Sequence, residues 1–478
     1  MRTPRDRGAL ALLLHTHMPY VEGFGTWPFG EEWLHEAMAS CYLPLLDLLD
    51  SRNPPLTLSL TPVLCDQLGA PNLAERFHRF IGDTRRFTHA EDASGLRAGG
   101  HSGLAAELER AWSADYEHAA ERMADRGGDL LRAFASHAHW TSSATHAVLP
   151  LLATDAGARL QVQTGIASHR DRLDANWRGG FWLPECAHTP HLETILAAAG
   201  VHRTCIELTG RFGLGARTHL QPLVSDAGIV LFPIDRATIS LVWSDAGYPA
   251  DGLYRDYHRH TVHHHNPWAN DGDAYDHERS LARARAHAAD FVSRTRERLR
   301  RDGASLPGGG LAVCALDTEL LGHWWYEGIH WLQAVIEECA TQGLELVHLD
   351  DALERFEPAP LADAEWGASS WGADGDLSTW SGPAVADMAF DTRAAELQTL
   401  AAAVEGRAGP AAVRELLALQ ASDWPFMISR GLAVPYAHER FAGHRIALAE
   451  ALRDGPAAER SGLRNLAPHA DPGTLLLP

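Results

Sequence analysis

Lysine is missing from this 478-residue sequence, so all 41 of its basic side chains are arginines. Two chemistries are thereby excluded: a lysine Schiff base with pyridoxal phosphate, and a phosphate-binding loop ending in GK[ST]. Long hydrophobic runs are absent too, since nothing approaches the roughly 18 apolar residues a membrane helix needs. Cysteine is scarce. Cys41, Cys65, Cys186, Cys205, Cys314 and Cys339 lie far apart with no CxxC pair, which argues against a disulfide scaffold or zinc ribbon and for buried thiols. Positive charge is in the minority: 62 acids give a net charge of -21, the wrong sign for nucleic acid or an anionic membrane surface. A neutral partner fits better.

What is present is ordinary globular material, 45% hydrophobic and 22% charged. Cores seldom grow past about 250 to 300 residues before splitting, so the length suits one large domain and a smaller one. The opening "MRTPRDRGALALLLHTHMPY" superficially resembles a signal peptide. Its apolar run is short, leads into polar "HTH" and has no small-residue cleavage site, so it reads as a first buried strand of a cytoplasmic protein.

Seven short apolar runs end in polar or acidic residues: "LALLLHTHM", "LTLSLTPVL", "ASHAHWTSS", "GGFWLPECA", "RTCIEL", "GIVLFPID" and "LAVCALDTEL". Helical patterns alternate with them. That alternation predicts an α/β fold with a parallel sheet closing into a (β/α) barrel, whose strand C-termini carry the chemistry. Residues 66 to about 140 read as a helical insertion, and 274–302 as one long charged helix. The alternation stops near 360, which predicts a catalytic domain over 1–360 and a mainly helical C-terminal domain over 361–478.

Four constellations lie at strand ends or in aromatic loops. His15 and His17 are alternate residues on one strand face; they can ligate a metal, hydrogen-bond a polar ligand, or form a satisfied core pair. Glu185 follows an apolar run and Pro184, with Trp182 and His188 placed to tune its carboxyl. Asp317 and Glu319 stand two apart at the end of "LAVCALDTEL", which expects them on one strand face. Glu185 and Asp317 on separate strands are the minimum equipment for cleaving a glycosidic bond, one carboxylate as nucleophile or base and one as proton donor. The fourth is aromatic. "LVWSDAGYPADGLYRDYHRH", "SSWGADGDLSTW" and "QASDWPFMI" set tryptophans among Gly, Asp and Ser, a pattern suited to stacking sugar rings, although about half of them are expected to be packing residues. The histidine-rich "YHRHTVHHH" (His258, His260, His263, His264, His265) has irregular metal-ligand spacing and reads as a solvated loop.

Together these stretches, with "GEEWLHEAMASCYLPLL", "SSATHAVLPLL" and "ALDTELLGHWWYEG", resemble glycoside hydrolase family 57 and its glucan branching enzyme subgroup, in the family's order along nearly the whole chain. The resemblance implies a seven-stranded (β/α) barrel with a helical insertion and a helical C-terminal domain over the cleft. It further implies a retaining displacement on an α-1,4-glucan partner, with no metal and no cofactor. Glu185 would be the nucleophile and Asp317 the acid/base, their carboxyls about 5 to 5.5 Å apart. His15, His17 and His146 would hydrogen-bond the sugar. Trp371, Trp380 and Trp424 would line the acceptor side, with Trp27 and Trp243 as further candidates. The chain departs from the family pattern in a short, tyrosine-free stretch at 207–232, in "ECAH" for "ECAY" and in "GYPADG" for "GYPGDP". The balance of branching against α-amylase or 4-α-glucanotransferase action therefore stays open. So do a metal-dependent carbohydrate hydrolase or deacetylase using His15 and His17, and a silent glycan-binding protein.

Overall fold

In the computed structural model, which describes residues 8–25, 29–361, 367–457, 463 and 465–477, each of the seven apolar runs contains a strand. These are β1 (Ala9–Thr16), β2 (Thr57–Leu60), β3 (Ala138–Ser142), β4 (Phe181–Trp182), β5 (Arg203–Ile206), β7 (Val230–Pro233) and β8 (Leu311–Asp317). Short β6 (Leu223–Val224), β9 (Glu345–Leu346) and β10 (Ala359–Pro360) complete the set among the described residues. One sheet runs β4-β3-β2-β1-β8 with β9 beside β1, and a second runs β10-β6-β7-β5. All pairings are parallel except β6 with β7.

The two sheets meet at both ends. Gly180, just before β4, forms a parallel bridge with Arg203 at the start of β5, and the Asp235 amide after β7 donates to the Val313 carbonyl of β8 at 2.8 Å. β1 is buried along its whole length, as a strand covered on both faces must be. Its apolar run ends at His15, which lies between Ser59 of β2 and Asp317 of β8 in the register. Chemistry-bearing residues of three neighbouring strands are thus level.

Helices cover the sheets. Asp155–Arg172 starts at Thr154, whose hydroxyl accepts from the Gly157 amide, and it comes so close to β3 that a Cβ on Gly165 would stand 2.1 Å from the Ser142 carbonyl oxygen. The long charged segment forms His277–Arg298, capped by Asp276. Between β2 and β3 the segments 73–98, 102–125 and 130–135 are helical. Beyond β10 lie the helices Ala386–Val404, Pro410–Leu419, Asp423–Arg430 and Val434–Asp454. They share a core of Leu416, Leu417, Trp424 and Phe441, joined by Leu160 and Tyr20 from the sheet-bearing part. All six cysteines are unbridged and buried. No helix among the described residues is long and apolar enough to cross a membrane.

Two expectations need correction. Strand β8 stops at Asp317 and residues 318–320 form a 3₁₀ turn, so Glu319 does not share a strand face with Asp317. The histidine-rich loop is only partly solvated. His263 Nδ1 meets Asp92 at 2.8 Å, and buried His265 reaches Thr88 at 3.1 Å and lies against His89. Half of that loop therefore docks onto the helical insertion.

Candidate active site

Glu185 follows β4 with φ 61°, and Cys186 after it has φ 50°. Left-handed backbone at consecutive non-glycine residues costs on the order of 1 to 3 kcal/mol each and persists only where the surroundings enforce it. His146 carries the same conformation, φ 59°. The turn aims the Glu185 carboxylate at two donors from beyond residue 360. The Trp371 indole donates to Oε2 at 3.0 Å and the Ser422 hydroxyl to Oε1 at 3.0 Å. Burial raises the Glu185 pKa, and these two hydrogen bonds oppose the rise.

Asp317 sits at the tip of β8, and no side chain among the described residues hydrogen-bonds its carboxyl. Burial, with Glu319 and Glu185 nearby, pushes its pKa well above the usual carboxylate range. The two carboxyls are thus unequal. Glu185 has donors that favour its anion, whereas Asp317 has like charges that favour its acid. Glu319 accepts from the Tyr42 hydroxyl at 2.6 Å and from the His17 amide at 3.1 Å, and burial lifts its pKa to about 7. It braces the turn that carries Asp317.

Three imidazoles stack beside the pair. The rings of His17 and His146 are 4.0 Å apart, those of His15 and His146 4.9 Å, and His15 also lies on Trp182 at 4.9 Å. His17 Nε2 meets Asp423 Oδ1 at 2.8 Å. Burial disfavours charge on His17, but Asp423, Glu319 and Glu185 outweigh it and raise its pKa. Burial and the charge of His17 hold His15 and His146 well below the ordinary histidine value. Of the three rings His17 alone is biased towards charge, and the two it lies beside are biased towards neutrality.

Neutrality fixes the direction of a hydrogen-bond chain. Ser422 spends its one proton on Glu185, so His146 Nδ1–H donates to the Ser422 oxygen at 2.8 Å. His146 Nε2 must then accept from His15 Nε2–H at 2.9 Å, and His15 Nδ1 accepts from the Ser59 hydroxyl at 3.3 Å. The chain runs from β2 to the carboxylate, and every ring nitrogen in it has a protein partner. Among the described residues no group of three or more His, Cys, Asp or Glu side chains is arranged to hold a metal ion.

Of the residues named from sequence, Glu185, Asp317, His15, His17, His146 and Trp371 come together here. Trp243 stands 6.2 Å from Trp371, ring to ring, and is 40% exposed. Trp380 and Trp424 do not line a cleft. Trp380 is 2% exposed and packs on Val148 and Ala187, while Trp424 is 0% exposed and donates to the Ala418 carbonyl. Their apolar neighbours come from distant parts of the chain, Val148 and Ala187 for Trp380 and the other C-terminal helices for Trp424. His188 does not tune Glu185. It is buried against Glu193 at 2.9 Å, and its backbone pairs with Ser369, which fixes the segment bearing Trp371. Trp27 lies outside the described residues.

Ser422 and Asp423 were missed from sequence. They flank the start of the helix Asp423–Arg430, where Ser422 caps no backbone amide with its side chain and instead serves Glu185. A Ser-Asp pair ahead of Pro425 marks a helix start; its lack of a local capping partner shows only in three dimensions.

The chain is similar to known proteins along most of its length. Residues 140–365 match glycosyl hydrolase family 57, and residues 387–465 match "1,4-alpha-glucan branching enzyme, C-terminal". A Mycobacterium tuberculosis protein named "Probable 1,4-alpha-glucan branching enzyme" is 32% identical over 96% of this chain and 94% of its own length. The "1,4-alpha-glucan branching enzyme" of Thermococcus kodakarensis is 30% identical over 92% of this chain and 72% of its own. The solved GH57-type branching enzyme of Pyrococcus horikoshii superposes with TM-score 0.84 at 29% identity, covering 92% of this chain and 88% of that one. The chain has the α/β sheet core and helical C-terminal region of a carbohydrate-active enzyme of this type. The chain belongs to glycosyl hydrolase family 57.

Proposed function

We infer that the chain is a retaining 1,4-α-glucan branching enzyme. The observation that carries this reading is the inequality of the two carboxyls: Glu185 held by Trp371 and Ser422, Asp317 kept as an acid by burial and like charge. The relatives and the matched C-terminal segment supply the substrate class. Glu185 attacks the anomeric carbon of an α-1,4-linked glucose while Asp317 gives its proton to the departing 4-oxygen, leaving a glycosyl ester on Glu185. Asp317, now a carboxylate, takes the proton from the 6-hydroxyl of a second glucan chain. That oxygen displaces Glu185 and forms the α-1,6 branch. His15, His17 and His146, whose ring nitrogens already have protein partners, would orient the groups around Glu185 and would reach the sugar's hydroxyls only by exchanging those partners.

The architecture is read as a seven-stranded barrel of β1 to β5, β7 and β8, supported by the bridge between Gly180 and Arg203 and by the bond from Asp235 to Val313. Residues 1–360 are read as the catalytic domain and 361–478 as the domain supplying Trp371, Ser422 and Asp423.

A second reading, α-amylase or 4-α-glucanotransferase action, is favoured by one observation. The segment at 207–232 holds no tyrosine, and its short helical turn Thr209–Phe212 is followed by exposed Leu214. Incubation with amylose, enzymatic debranching and chain-length analysis separate the readings. New α-1,6 linkages, lost in Glu185→Gln, are expected. Reducing sugar alone would indicate a hydrolase, and redistributed linear chains alone a glucanotransferase.

A further inference from the structure

A cavity of about 700 Å³ opens between the helical insertion, the histidine-rich loop and the segment that follows Asp317. It holds neither Glu185 nor Asp317, and its volume falls within the roughly 300 to 1,000 Å³ of small-ligand sites. An aromatic path joins it to the catalytic carboxyls. From Trp371, bonded to Glu185, ring centroids step 6.2 Å to Trp243 and 6.1 Å to Trp324. The His323 ring stands 6.2 Å from Trp324 and 6.1 Å from Tyr257, and all three line the cavity. Trp243, Trp324 and Tyr257 are 40%, 39% and 45% exposed. Three large rings bared to solvent in succession are poorly explained as packing.

The wall is polar, and its arginines are paired. Arg85, Arg110, Arg122 and Arg255 each pair with a carboxylate at 2.6–2.8 Å, so no free cation awaits a phosphate. Burial holds His89, His265 and His323 below the ordinary histidine value, leaving neutral imidazoles. Glu32, 4% exposed, bonds Arg85 through Oε1 while its buried Oε2 has no hydrogen-bond partner. That oxygen is closed off from the cavity, and burial raises the Glu32 pKa to about 8. Aromatic platforms beside paired, neutral hydrogen-bonding groups suit an uncharged polyol, not an anion, a nucleotide or a metal ion.

We propose that this cavity is a remote binding site for an α-glucan chain, reached from the catalytic carboxyls along Trp371, Trp243, Trp324 and Tyr257. It rests on the α-glucan reading above. The site holds a length of chain away from the scissile bond, so it distinguishes long chains from short ones and sets the length transferred or accepted.

The test uses the full chain carrying Glu185→Gln, so that bound sugar is not turned over, titrated calorimetrically with maltotriose and with maltoheptaose. Tyr257→Ala removes an exposed platform, and Ala114→Trp fills the cavity from a half-buried wall position. Each is expected to weaken maltoheptaose binding by about tenfold, the worth of one aromatic platform, and to leave maltotriose within about twofold. Unchanged maltoheptaose binding in both variants, or equal losses for the two sugars, overturns the proposal. Should Ala114→Trp fail to fold, Tyr257→Ala decides alone. Wild type that leaves amylose unaltered, while the Glu185→Gln chain still separates the two sugars by the Tyr257 platform, sinks the branching reading and upholds the cavity's ligand.

Discussion

The Ser422 hydroxyl donates to Glu185 at 3.0 Å across 237 residues of sequence, and in the same geometry receives the Nδ1 proton of His146 at 2.8 Å. A helix start of the C-terminal region thereby completes a hydrogen-bond chain that begins at Ser59 on β2. Ser422 is a positioning residue for the carboxylate. Ser422→Ala removes one of its two side-chain donors, and hydrogen bonds to charged groups are worth about 1.5 to 3 kcal/mol. A fall in kcat of roughly 10- to 100-fold is expected, with KM little changed and the acidic limb of the pH profile moved to higher pH. Ser422→Thr should recover most of the loss. A uniform loss with an unmoved pH profile would mean that Ser422 is only structural.

Trp371 and Trp424 should part company. Trp371→Phe keeps a ring but loses the indole bond to Glu185, so kcat should drop about tenfold with the melting temperature nearly unchanged. Trp424→Ala empties a fully buried position in the C-terminal core, which costs about 3 to 5 kcal/mol. Thermal melts and steady-state kinetics on both variants read the contrast.

The pH dependence follows from the two carboxyls. In the proposed mechanism activity requires Glu185 ionised and Asp317 protonated, and burial raises both pKa values, so the rate optimum should lie above the ordinary carboxylate range. The same shift acts on stability. Because Asp317 binds its proton more tightly when folded than when unfolded, its contribution to stability is full below the unfolded pKa. It is lost as pH rises through the folded value. Asp317→Asn should therefore raise the melting temperature at neutral pH, by about 1 to 3 °C, while abolishing activity. A lowered melting temperature would contradict the assignment of Asp317 as a buried acid.

Asp423 should govern the charge of His17. Its carboxylate lies 2.8 Å from His17 Nε2 and is the leading group raising that pKa against burial. In Asp423→Asn the His17 titration, followed by NMR, should move to lower pH, with kcat reduced about 10- to 100-fold. An unmoved His17 titration would show that Glu319 and Glu185 suffice.

Much of this could be read from the residues, and the failures share a cause. Strands β1 and β8 announced themselves most clearly because a strand buried on both faces favours a continuous apolar run, and polar residues at its end mark where it meets solvent or substrate. Glu185 and Asp317 were legible for that reason. Ser422 and Asp423 were not, because their roles depend on which distant strand end the helix start is packed against. Trp380 and Trp424 misled in the opposite way. Their sequence neighbours are polar, but burial is decided by spatial neighbours, which come here from the helices of the C-terminal core and from Val148 and Ala187. The left-handed turn at Glu185 left no sign in sequence, since glycine is the usual mark of such a position and none stands there.

The central claim, a glycosyl ester formed on Glu185 and resolved with the help of Asp317, is tested most directly by trapping that ester. The chain is to be treated with a fluorinated α-glucosyl donor that forms the intermediate faster than it decays, digested, and its peptides analysed by mass spectrometry. One glycosyl group on the peptide bearing Glu185, absent in Glu185→Gln, is the expected result. Label on another carboxylate, or continued turnover of amylose by Glu185→Gln, would contradict the account.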